Sequence, residues 1–390
     1  MKVILNGLAA LKPKTGVGHH VANLGTALQS HYPQDSFTLY PGKSVSDSIR
    51  RINRPSTPGT GNATSSWRNQ LRSLAKSAAK TASQLHFRAF TSTFGFDLYH
   101  EPNFVPFATD LPTIVTVHDL SVLRFPQWHP IDRVRMHERY FRTALIKASH
   151  VIVVSDAIRA EVMREFHIPS DRVTTVYNGI HPSFQLPNPE MIAKTRAKFG
   201  LPQQFFLCVG TIEPRKNLFA VMQAFTQLPA ETREACPLLL AGPWGWKSDA
   251  ERKFYDDIGR HNGIRQLGYV PETDLPTIYG AATALLYPSH YEGFGLPPVE
   301  MLATGGTVIA STDAAVQEVC GKFAVFVPPT DADGWRAAMF RIATDKEYRD
   351  AVKIGGQEHA RQFTWERAAD ETMAVYRRVL TSTQSRPATN

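Results

Sequence analysis

The sequence predicts an α/β fold of two Rossmann-like, doubly wound domains that face each other across a cleft. First, its 390 residues, of which 43% are hydrophobic and 20% charged, are enough for two domains that each bury a core. Second, short β-branched and aliphatic runs alternate with helix-length segments in both halves, as in parallel sheets joined by right-handed crossovers. Third, the chain becomes proline-rich and polar between Pro182 and Gln204, which indicates a domain boundary.

The first half contains six predicted strands. Ile114–Val117 and Val151–Val154 are nearly unbroken aliphatic runs, which are typical of parallel strands buried on both faces. The predicted strands of this half are Lys2–Leu5, Phe37–Tyr40, Leu98–His100, Thr113–Val117, His150–Val154 and Val173–Val176.

The second half repeats this alternation with six further strands. They are Phe205–Val209, Pro237–Ala241, Ile264–Leu267, Ala284–Tyr287, Thr307–Ala310 and Ala324–Val327. We therefore expect an N-terminal domain over residues 1–184, a linker over 185–203, a second domain over 204–362, a C-terminal helix over 363–380 and a disordered tail over 381–390.

Composition and targeting signals narrow the class of protein. The three cysteines, Cys208, Cys236 and Cys320, are too few and too scattered for a disulfide framework, and they suit a reducing compartment. No run reaches the roughly 18 apolar residues of a spanning helix. The N-terminal apolar run is broken by Asn6 and Gly7 and lacks a cleavage site, so we expect a cytoplasmic protein.

The positive charge is concentrated in one window. Residues 41–100 hold nine Lys and Arg but only two acids, against a net charge of +8 for the whole chain. Within this window Arg68, Arg72, Lys76 and Lys80 recur every four residues beside an apolar stripe. This pattern fits contact with an anionic partner, such as lipid headgroups at the inner face of a membrane or a polyphosphate, or an ordinary solvated helix face. No aromatic and basic reading motif accompanies the charge, so we expect no nucleic-acid partner.

The densest chemical motif lies just after a predicted strand, over residues 287–300. Glu292 sits in a glycine-rich loop with Gly293 and Gly295, and Glu300 lies in the helix that follows. Glycines let backbone N–H groups approach a ligand, and a helix N-terminus favours an anion. A carboxylate in that helix can accept hydrogen bonds from a ribose diol.

This segment resembles the signature of the retaining glycosyltransferases of family 4, in which two glutamates are separated by seven residues. Further segments resemble that family in the same order along the chain. They are Val117–Leu120, Val176–Ile180, Gly210–Leu218, Gly242–Gly245, Leu267–Val270 and Phe363–Trp365. The resemblance spans nearly the whole chain and thins out only between Lys43 and Phe96. It implies the GT-B fold, with a C-terminal helix that returns towards the N-terminal domain.

The resemblance assigns Arg215 and Lys216 to the donor diphosphate. Negative charge develops on a nucleoside diphosphate as the glycosidic bond breaks, and two fixed cations stabilise that charge most in the transition state. The alternative is a basic pair on the surface at a helix start. Cations favour helix C-termini, which argues against that alternative.

The resemblance also assigns roles to other residues. It implies that Glu300 binds the nucleotide ribose, that Glu292 lies near the sugar and that His118 hydrogen-bonds sugar hydroxyls. A glycine loop with Gly16 and Gly18 would close near the phosphates. The remaining predicted donor-binding residues are Gly210, Tyr269, Val270, Gly293, Phe294, Gly295 and Leu296.

We expect neither a metal ion nor another cofactor. Asp331-Ala332-Asp333 matches the Asp-x-Asp motif that other glycosyltransferases use to hold a metal, but it precedes a helical run and fits helix capping better. His19 and His20 lack further clustered ligands. Arg215 and Lys216 would neutralise the diphosphate in place of a metal.

These features predict a retaining, metal-independent hexosyltransferase that takes its sugar from a nucleotide-sugar donor. The acceptor would be a glycan or a lipid-linked glycan. Segments 116–119, 125–126 and 210–217 look most like bacterial mannosyltransferases of surface-polysaccharide assembly, which points to mannose and GDP-mannose. No carboxylate is placed as a covalent nucleophile, so we expect front-face attack assisted by the leaving phosphate. The alternatives are a UDP-sugar-dependent glucosyl-type transferase, a non-catalytic nucleotide-sugar or polyanion-binding protein, and a nicotinamide oxidoreductase.

Overall fold

The computed structural model describes residues 1–11, 16–41 and 81–384. The predicted basic helix with Arg68, Arg72, Lys76 and Lys80 lies outside the described residues. Within the described part of the chain, no helix is both long enough and apolar enough to cross a membrane.

The first half forms a six-stranded parallel sheet in the order β2-β1-β3-β4-β5-β6. The register pairs Val3 with Phe37 on the neighbouring strand and Val117 with Val153. Its strands are β1 (Lys2–Asn6), β2 (Ser36–Tyr40), β3 (Leu98–Glu101), β4 (Thr113–Val117), β5 (His150–Val153) and β6 (Val173–Thr175).

The second half forms another six-stranded parallel sheet, in the order β12-β11-β10-β7-β8-β9. Its strands are β7 (Phe206–Val209), β8 (Leu238–Ala241), β9 (Ile264–Gly268), β10 (Ala284–Tyr287), β11 (Val308–Ser311) and β12 (Val325–Val327). In each sheet the later strands lie on both sides of the first strand, β1 or β7, which is the doubly wound topology. The predicted fold class is confirmed, and each predicted strand matches an observed one to within one or two residues at either end.

Helices cover both faces of each sheet. Those described in the first half are α1 (Gly16–His31), α2 (81–94), α3 (Ser121–Arg124), α4 (Ile131–Lys147) and α5 (Asp156–Phe166). Those of the second half are α6 (Pro189–Phe199), α7 (Leu218–Thr226), α8 (Ala230–Ala235), α9 (Asp249–Asp257), α10 (Leu275–Ala281), α11 (Leu296–Ala303), α12 (Ala314–Cys320), α13 (Ala332–Thr344), α14 (Lys346–Val352), α15 (Gly356–Ala360) and α16 (Trp365–Gln384).

The final helix, α16, returns to the first sheet as predicted. Met373 and Tyr376 are fully buried in the same core as Val3 and Leu5. The Tyr376 hydroxyl also lies 2.7 Å from Nδ1 of His100 on β3. The first half of the fold is therefore completed by the last helix of the chain.

Two segments differ from the sequence prediction. The predicted linker contains α6, which begins after the Asn188 cap with Pro189 at its first position and ends at Gly200 in the left-handed conformation. Proline is compatible with the first helical position, so a proline-rich segment still starts a helix here. Helix α16 extends to Gln384, so residues 381–384 of the predicted disordered tail are helical, and residues 385–390 lie outside the described part.

Candidate active site

The carboxyl ends of the two sheets face each other, and the predicted site residues follow strands at these edges. His118 follows β4, Arg215 lies in the loop after β7 and Glu292 lies in the loop after β10. The two halves are in direct contact here, because a Cβ added to Gly293 would lie 1.7 Å from the carbonyl oxygen of His118. The structure therefore brings the main predicted residues to one cleft.

Glu292 and the two predicted diphosphate-binding cations form one buried network. Arg215 Nη1 lies 2.6 Å from Oε2 of Glu292, and Lys216 Nζ lies 2.6 Å from Oε1. Lys216 also donates a hydrogen bond of 3.0 Å to the Tyr287 hydroxyl, and Arg215 pairs with Glu213 at 2.9 Å. Each oxygen of Glu292 thus has its own cation.

Burial and the neighbouring charges shift the pKa values of this network in opposite directions. Burial alone would raise the pKa of Glu292, but Arg215 and Lys216 outweigh it and hold that pKa at about 2. Burial lowers the pKa of Lys216, whereas Glu292 partly offsets the effect. Burial also disfavours charged Arg215, but Glu292 and Asp119 outweigh burial and raise its pKa. Glu292 is therefore ionised throughout the neutral pH range.

The backbone after β7 explains why Arg215 and Lys216 lie side by side. Residues Pro214–Lys216 form a single 3-10 turn, which Asn217 ends in the left-handed conformation with φ of 53°. The Asn217 side chain donates to the carbonyl oxygens of Pro288 and Pro329, at 3.1 and 2.8 Å. These bonds fix the cationic turn against the loop that carries Glu292.

Two further glycines of the predicted site have conformational reasons to be glycine. Gly210 has φ of 124°, and a Cβ on Gly242 would lie 2.0 Å from the carbonyl oxygen of Gly210. Gly295 has φ of 101° and immediately precedes α11. The side chains of its neighbours Phe294 and Leu296 pack in a core of the second domain, and Phe294 is buried.

Glu300 lies one turn into α11 and is half-buried. The Tyr279 hydroxyl donates to its Oε2 at 2.9 Å, and burial raises the pKa of Glu300 to about 7. The predicted donor-binding residues Tyr269 and Val270 differ in exposure: Tyr269 is exposed, whereas Val270 packs in a core of the second domain. A ligand at this turn would therefore contact the Tyr269 ring and the Val270 backbone.

His118 lies at the cleft with its Nε2 2.9 Å from the carbonyl oxygen of Pro102, which requires the proton on that nitrogen. Burial lowers its pKa, so the ring is neutral at neutral pH and its Nδ1 is a hydrogen-bond acceptor. The ring of His20 packs edge-on at 4.7 Å. His20 is buried, and its Nε2 has no hydrogen-bond partner in the described part of the chain.

Gly16 and Gly18 lie in the first turn of α1 and not in a loop as predicted. Gly18 packs against the turn after β1, where a Cβ would lie 2.7 Å from the carbonyl oxygen of Ala9. A Cβ on Gly16 would meet no atom of the described residues within 4 Å. Close packing therefore explains why residue 18 is a glycine. The backbone of Gly16 is open to the approach of a ligand.

The sequence interpretation missed the role of two carboxylates. Asp119 accepts hydrogen bonds from the Ser121 N–H and hydroxyl at 2.8 and 2.6 Å. It also acts electrostatically on Arg215. Glu213 is buried, and among the residues that the structure describes only one of its oxygens has a hydrogen-bond partner, Arg215. The sequence signal that could have indicated this role is the position of Glu213 inside the Gly210–Leu218 motif.

The Asp-x-Asp sequence caps a helix. Asp331 Oδ1 accepts the Gly334 N–H at 2.9 Å at the start of α13, and Asp333 pairs with Arg336. Over residues 1–11, 16–41 and 81–384, no group of three or more His, Cys, Asp and Glu is arranged to hold a metal ion. The three cysteines are buried free thiols.

Comparison with known proteins identifies relatives of both halves. Residues 14–184 match Glycosyltransferase Family 4, and residues 191–359 match Glycosyl transferases group 1. The chain is 32% identical to O-antigen chain mannosyltransferase B of Escherichia coli over 380 residues, which cover 97% of this chain and 100% of that relative.

Solved structures share the architecture. Sucrose-phosphate synthase from Thermosynechococcus elongatus superposes with a TM-score of 0.73 at 21% identity, over 97% of this chain and 99% of that protein. Anabaena HepE, in complex with UDP and glucose, superposes with a TM-score of 0.70 at 18% identity, over the same shares of the two chains. At such identities these similarities support the two-domain fold alone.

Proposed function

The chain belongs to glycosyltransferase family 4, and on that premise we propose that it transfers mannose from GDP-mannose to a glycan or lipid-linked glycan. In this proposal the transfer retains the anomeric configuration and needs no metal ion. The relative that is 32% identical over nearly the full length is a mannosyltransferase by name, which supports mannose as the sugar.

The observation that carries the proposal is the buried contact of Arg215 and Lys216 with Glu292, at 2.6 Å each. Two fixed cations offset the two negative charges of a diphosphate, which supports a reaction without a divalent ion. Both are already held in place by protein groups, so little reorganisation accompanies charge development. A bound donor diphosphate would form ion pairs with these cations, either together with Glu292 or in its place.

The chemical step follows from these charges. The bond between the anomeric carbon and the diphosphate oxygen breaks, and its electron pair leaves with GDP, where Arg215 and Lys216 stabilise the new charge. The ionised carboxylate of Glu292 stabilises the positive charge on the sugar ring. The acceptor hydroxyl attacks the anomeric carbon from the face that GDP leaves, and its proton passes to the departing phosphate. The products are the mannoside, with unchanged configuration, and GDP.

The experiment is GDP release by the purified protein from a panel of sugar nucleotides in the presence of EDTA. We expect release from GDP-mannose, and a loss of about 100-fold or more in Arg215→Ala and Lys216→Ala. Lys253→Ala is the matched control, because it also removes one cation but from an exposed i,i+4 pair with Asp257. Release that stops with EDTA and returns with Mg²⁺ would overturn metal independence.

A UDP-sugar is the second candidate donor, because a structural neighbour was solved with UDP and glucose. Release of UDP from UDP-glucose without release of GDP from GDP-mannose would establish this alternative. The configuration of the product, read from the anomeric proton coupling in NMR spectra, tests retention independently of the donor.

We further propose that the basic window contacts an anionic membrane surface, an interpretation that depends on the sequence charge of Arg68, Arg72, Lys76 and Lys80. Binding to phosphatidylglycerol vesicles should then fall steeply with salt. Changing these four residues to Gln should abolish binding. The same change at the exposed cations Lys194, Lys253, Arg336 and Lys346 should leave it intact, and salt-insensitive binding would contradict the proposal.

A further inference from the structure

Tyr291 immediately precedes Glu292 in the loop after β10, but its side chain packs in a core of the first domain. The side chain is 5% exposed. In the described part of the chain, every other buried residue of that core cluster belongs to the first domain, including Val117, Leu120 and Phe141. The second domain therefore inserts one aromatic side chain into the first domain at the edge of the cleft.

The Tyr291 hydroxyl lies between two groups of the first domain. It accepts the Leu120 N–H at 3.1 Å and donates to Oε2 of Glu161 on α5 at 2.6 Å. The guanidinium of Arg124 lies 5.4 Å from the centre of the Tyr291 ring and also pairs with Glu161. The hydroxyl thus uses both its donor and its acceptor function across the domain boundary.

The backbone of Tyr291 holds one of the two cations of the donor site. Arg215 Nη1 donates to the Tyr291 carbonyl oxygen at 3.0 Å, and the same nitrogen lies 2.6 Å from Oε2 of Glu292. Leu120, which the hydroxyl contacts, follows His118 by two positions. A single residue therefore connects the loop that carries His118 with the charged pair on the other side of the cleft.

Loss of the hydroxyl would disturb this connection locally. Leu120 is buried, so its N–H would lose a partner that water cannot easily replace, and such a loss favours a shift of the backbone. A shift of this loop would move His118 relative to Glu292. A misplacement of about 1 Å near reacting groups can reduce a rate about 100-fold.

We propose that Tyr291 is a positioning residue of the transfer reaction, which sets the distance between His118 in the first domain and the Arg215–Glu292 pair in the second. It acts through its hydrogen bonds to Leu120 and Glu161 and needs no contact with the substrate. This inference rests on the proposed transferase function and specifies which contact fixes the geometry of the reaction centre.

The test is Tyr291→Phe, which retains the ring and removes both hydrogen bonds. At saturating GDP-mannose we expect kcat for GDP release to fall about tenfold or more, because the reacting groups stay misplaced when the donor is bound. The KM for GDP-mannose should change by less than about threefold, because the carbonyl oxygen of residue 291 still holds Arg215.

Tyr376→Phe is the matched control. It also removes a buried hydroxyl, but one that lies 2.7 Å from Nδ1 of His100 in the core beneath α16. Both kinetic constants should match those of the wild type. An equal loss of kcat in Tyr376→Phe and Tyr291→Phe would overturn the positioning role, because removal of any buried hydroxyl would then have the same effect.

A comparison with Glu318→Ala separates positioning from domain opening. That variant also loses hydrogen bonds between the domains, those to the N–H groups of Asp156 and Ala157. Opening alone raises the KM, and saturating donor restores kcat, because the donor selects the closed form. A Tyr291→Phe variant with a wild-type kcat would therefore overturn the positioning role, whether or not its KM is raised.

A double-mutant cycle with Glu161→Ala tests the hydrogen bond without turnover. If Tyr291 and Glu161 act through their mutual bond, the melting temperature of the double variant should fall by less than the sum of the two single falls. The cycle of Tyr376→Phe with Glu161→Ala should be additive, because these residues lie in separate parts of the first domain. An additive cycle for Tyr291 would overturn the proposed mechanism of positioning.

Failure of the proposed function would be distinguishable from failure of this inference. A wild-type protein that releases nucleotide only from a UDP-sugar would contradict the proposed donor alone, and the same comparison of kcat and KM would then be made with that donor. A wild-type protein that releases nucleotide from no donor would contradict the transferase function itself.

Discussion

The backbone of Gly293 lies against the carbonyl oxygen of His118, so that a Cβ at residue 293 would fall 1.7 Å from that oxygen. No side chain fits this gap without moving one domain away from the other. The contact joins the two sheets at the residues that we assign to catalysis. Ser155 strengthens it, because its hydroxyl donates to the Gly293 carbonyl oxygen at 2.7 Å.

Gly293→Ala should therefore reduce kcat/KM by about 100-fold or more, since a displacement of about 1 Å at a reacting centre has effects of that size. The variant should remain folded, because the two cores do not depend on this contact. Steady-state kinetics and circular dichroism test both statements.

Gly25→Ala is the control for the glycine substitution. A Cβ on Gly25 would make only an ordinary contact of 3.4 Å with the flexible side chain of Leu39. It should leave kcat/KM unchanged. Wild-type kinetics in Gly293→Ala would show that the close approach of the two domains is not needed for catalysis.

A second prediction concerns the stability of the unliganded protein. Glu292→Gln leaves Arg215 and Lys216 buried without their shared counter-charge, and removing one partner of such a pair costs about 3–5 kcal/mol. The melting temperature should fall without ligand. GDP should raise it by more in the variant than in wild type, because the diphosphate replaces the lost negative charge.

Glu190→Gln serves as the control for this stability prediction. It breaks an exposed i,i+4 pair with Lys194, and such pairs are worth about 0–1 kcal/mol. Its melting temperature should match wild type with and without GDP. An equal GDP-induced shift in Glu292→Gln and wild type would contradict the view that donor and Glu292 share the same cations.

A third prediction concerns the dependence of stability on pH. Glu101 is fully buried, and burial raises its pKa from 4.5 to about 7, despite hydrogen bonds from Tyr99, Asn6 and the Asn103 N–H. Between pH 4.5 and 7 the folded protein therefore holds a proton that the unfolded chain has lost. The free energy of unfolding must fall as pH rises through this range, by about 3 kcal/mol for this group.

Glu101→Gln keeps the shape of the side chain but cannot ionise. Urea unfolding at several pH values between 5 and 8 should therefore show a smaller loss of stability with rising pH than in wild type. Glu347→Gln, a change at an exposed residue, should reproduce the wild-type slope. Parallel slopes for Glu101→Gln and wild type would show that Glu101 ionises as an ordinary carboxyl.

The fold could be predicted because buried parallel strands leave a local signal. Runs such as Val151–Val153 are apolar throughout, and the segments between them have helical length. The donor residues could be predicted for a similar reason, because Arg215 and Lys216 lie in one motif and Glu292 and Glu300 lie in another.

Contacts between distant segments could not be predicted in this way. His129 and Trp246 are 117 positions apart, and nothing local indicates that their rings meet. The electrostatic influence of Arg215 on Asp119 likewise depends on how the two domains meet. Helix α6 was missed because its proline is at the first position, where composition alone suggests a linker.

The last prediction concerns Glu318, which links the second domain to a helix of the first. Its Oε1 and Oε2 accept the backbone N–H groups of Asp156 and Ala157 at 2.7 and 2.9 Å. These groups form the N-terminus of α5, whose partial positive charge favours a carboxylate. The contact therefore stabilises the arrangement in which His118 and Glu292 share one cleft.

Glu318→Ala removes two charge-assisted hydrogen bonds, so it should destabilise the closed arrangement by about 1–3 kcal/mol. Because donor binding needs that arrangement, calorimetry should show a weaker GDP affinity, which falls with the fraction of closed protein and by at most about tenfold for each 1.4 kcal/mol. Glu347→Ala removes an exposed carboxylate from the same domain and should leave GDP affinity intact. Unchanged GDP affinity in Glu318→Ala would mean that other contacts, such as that of Ser155 with Gly293, suffice to hold the two domains together.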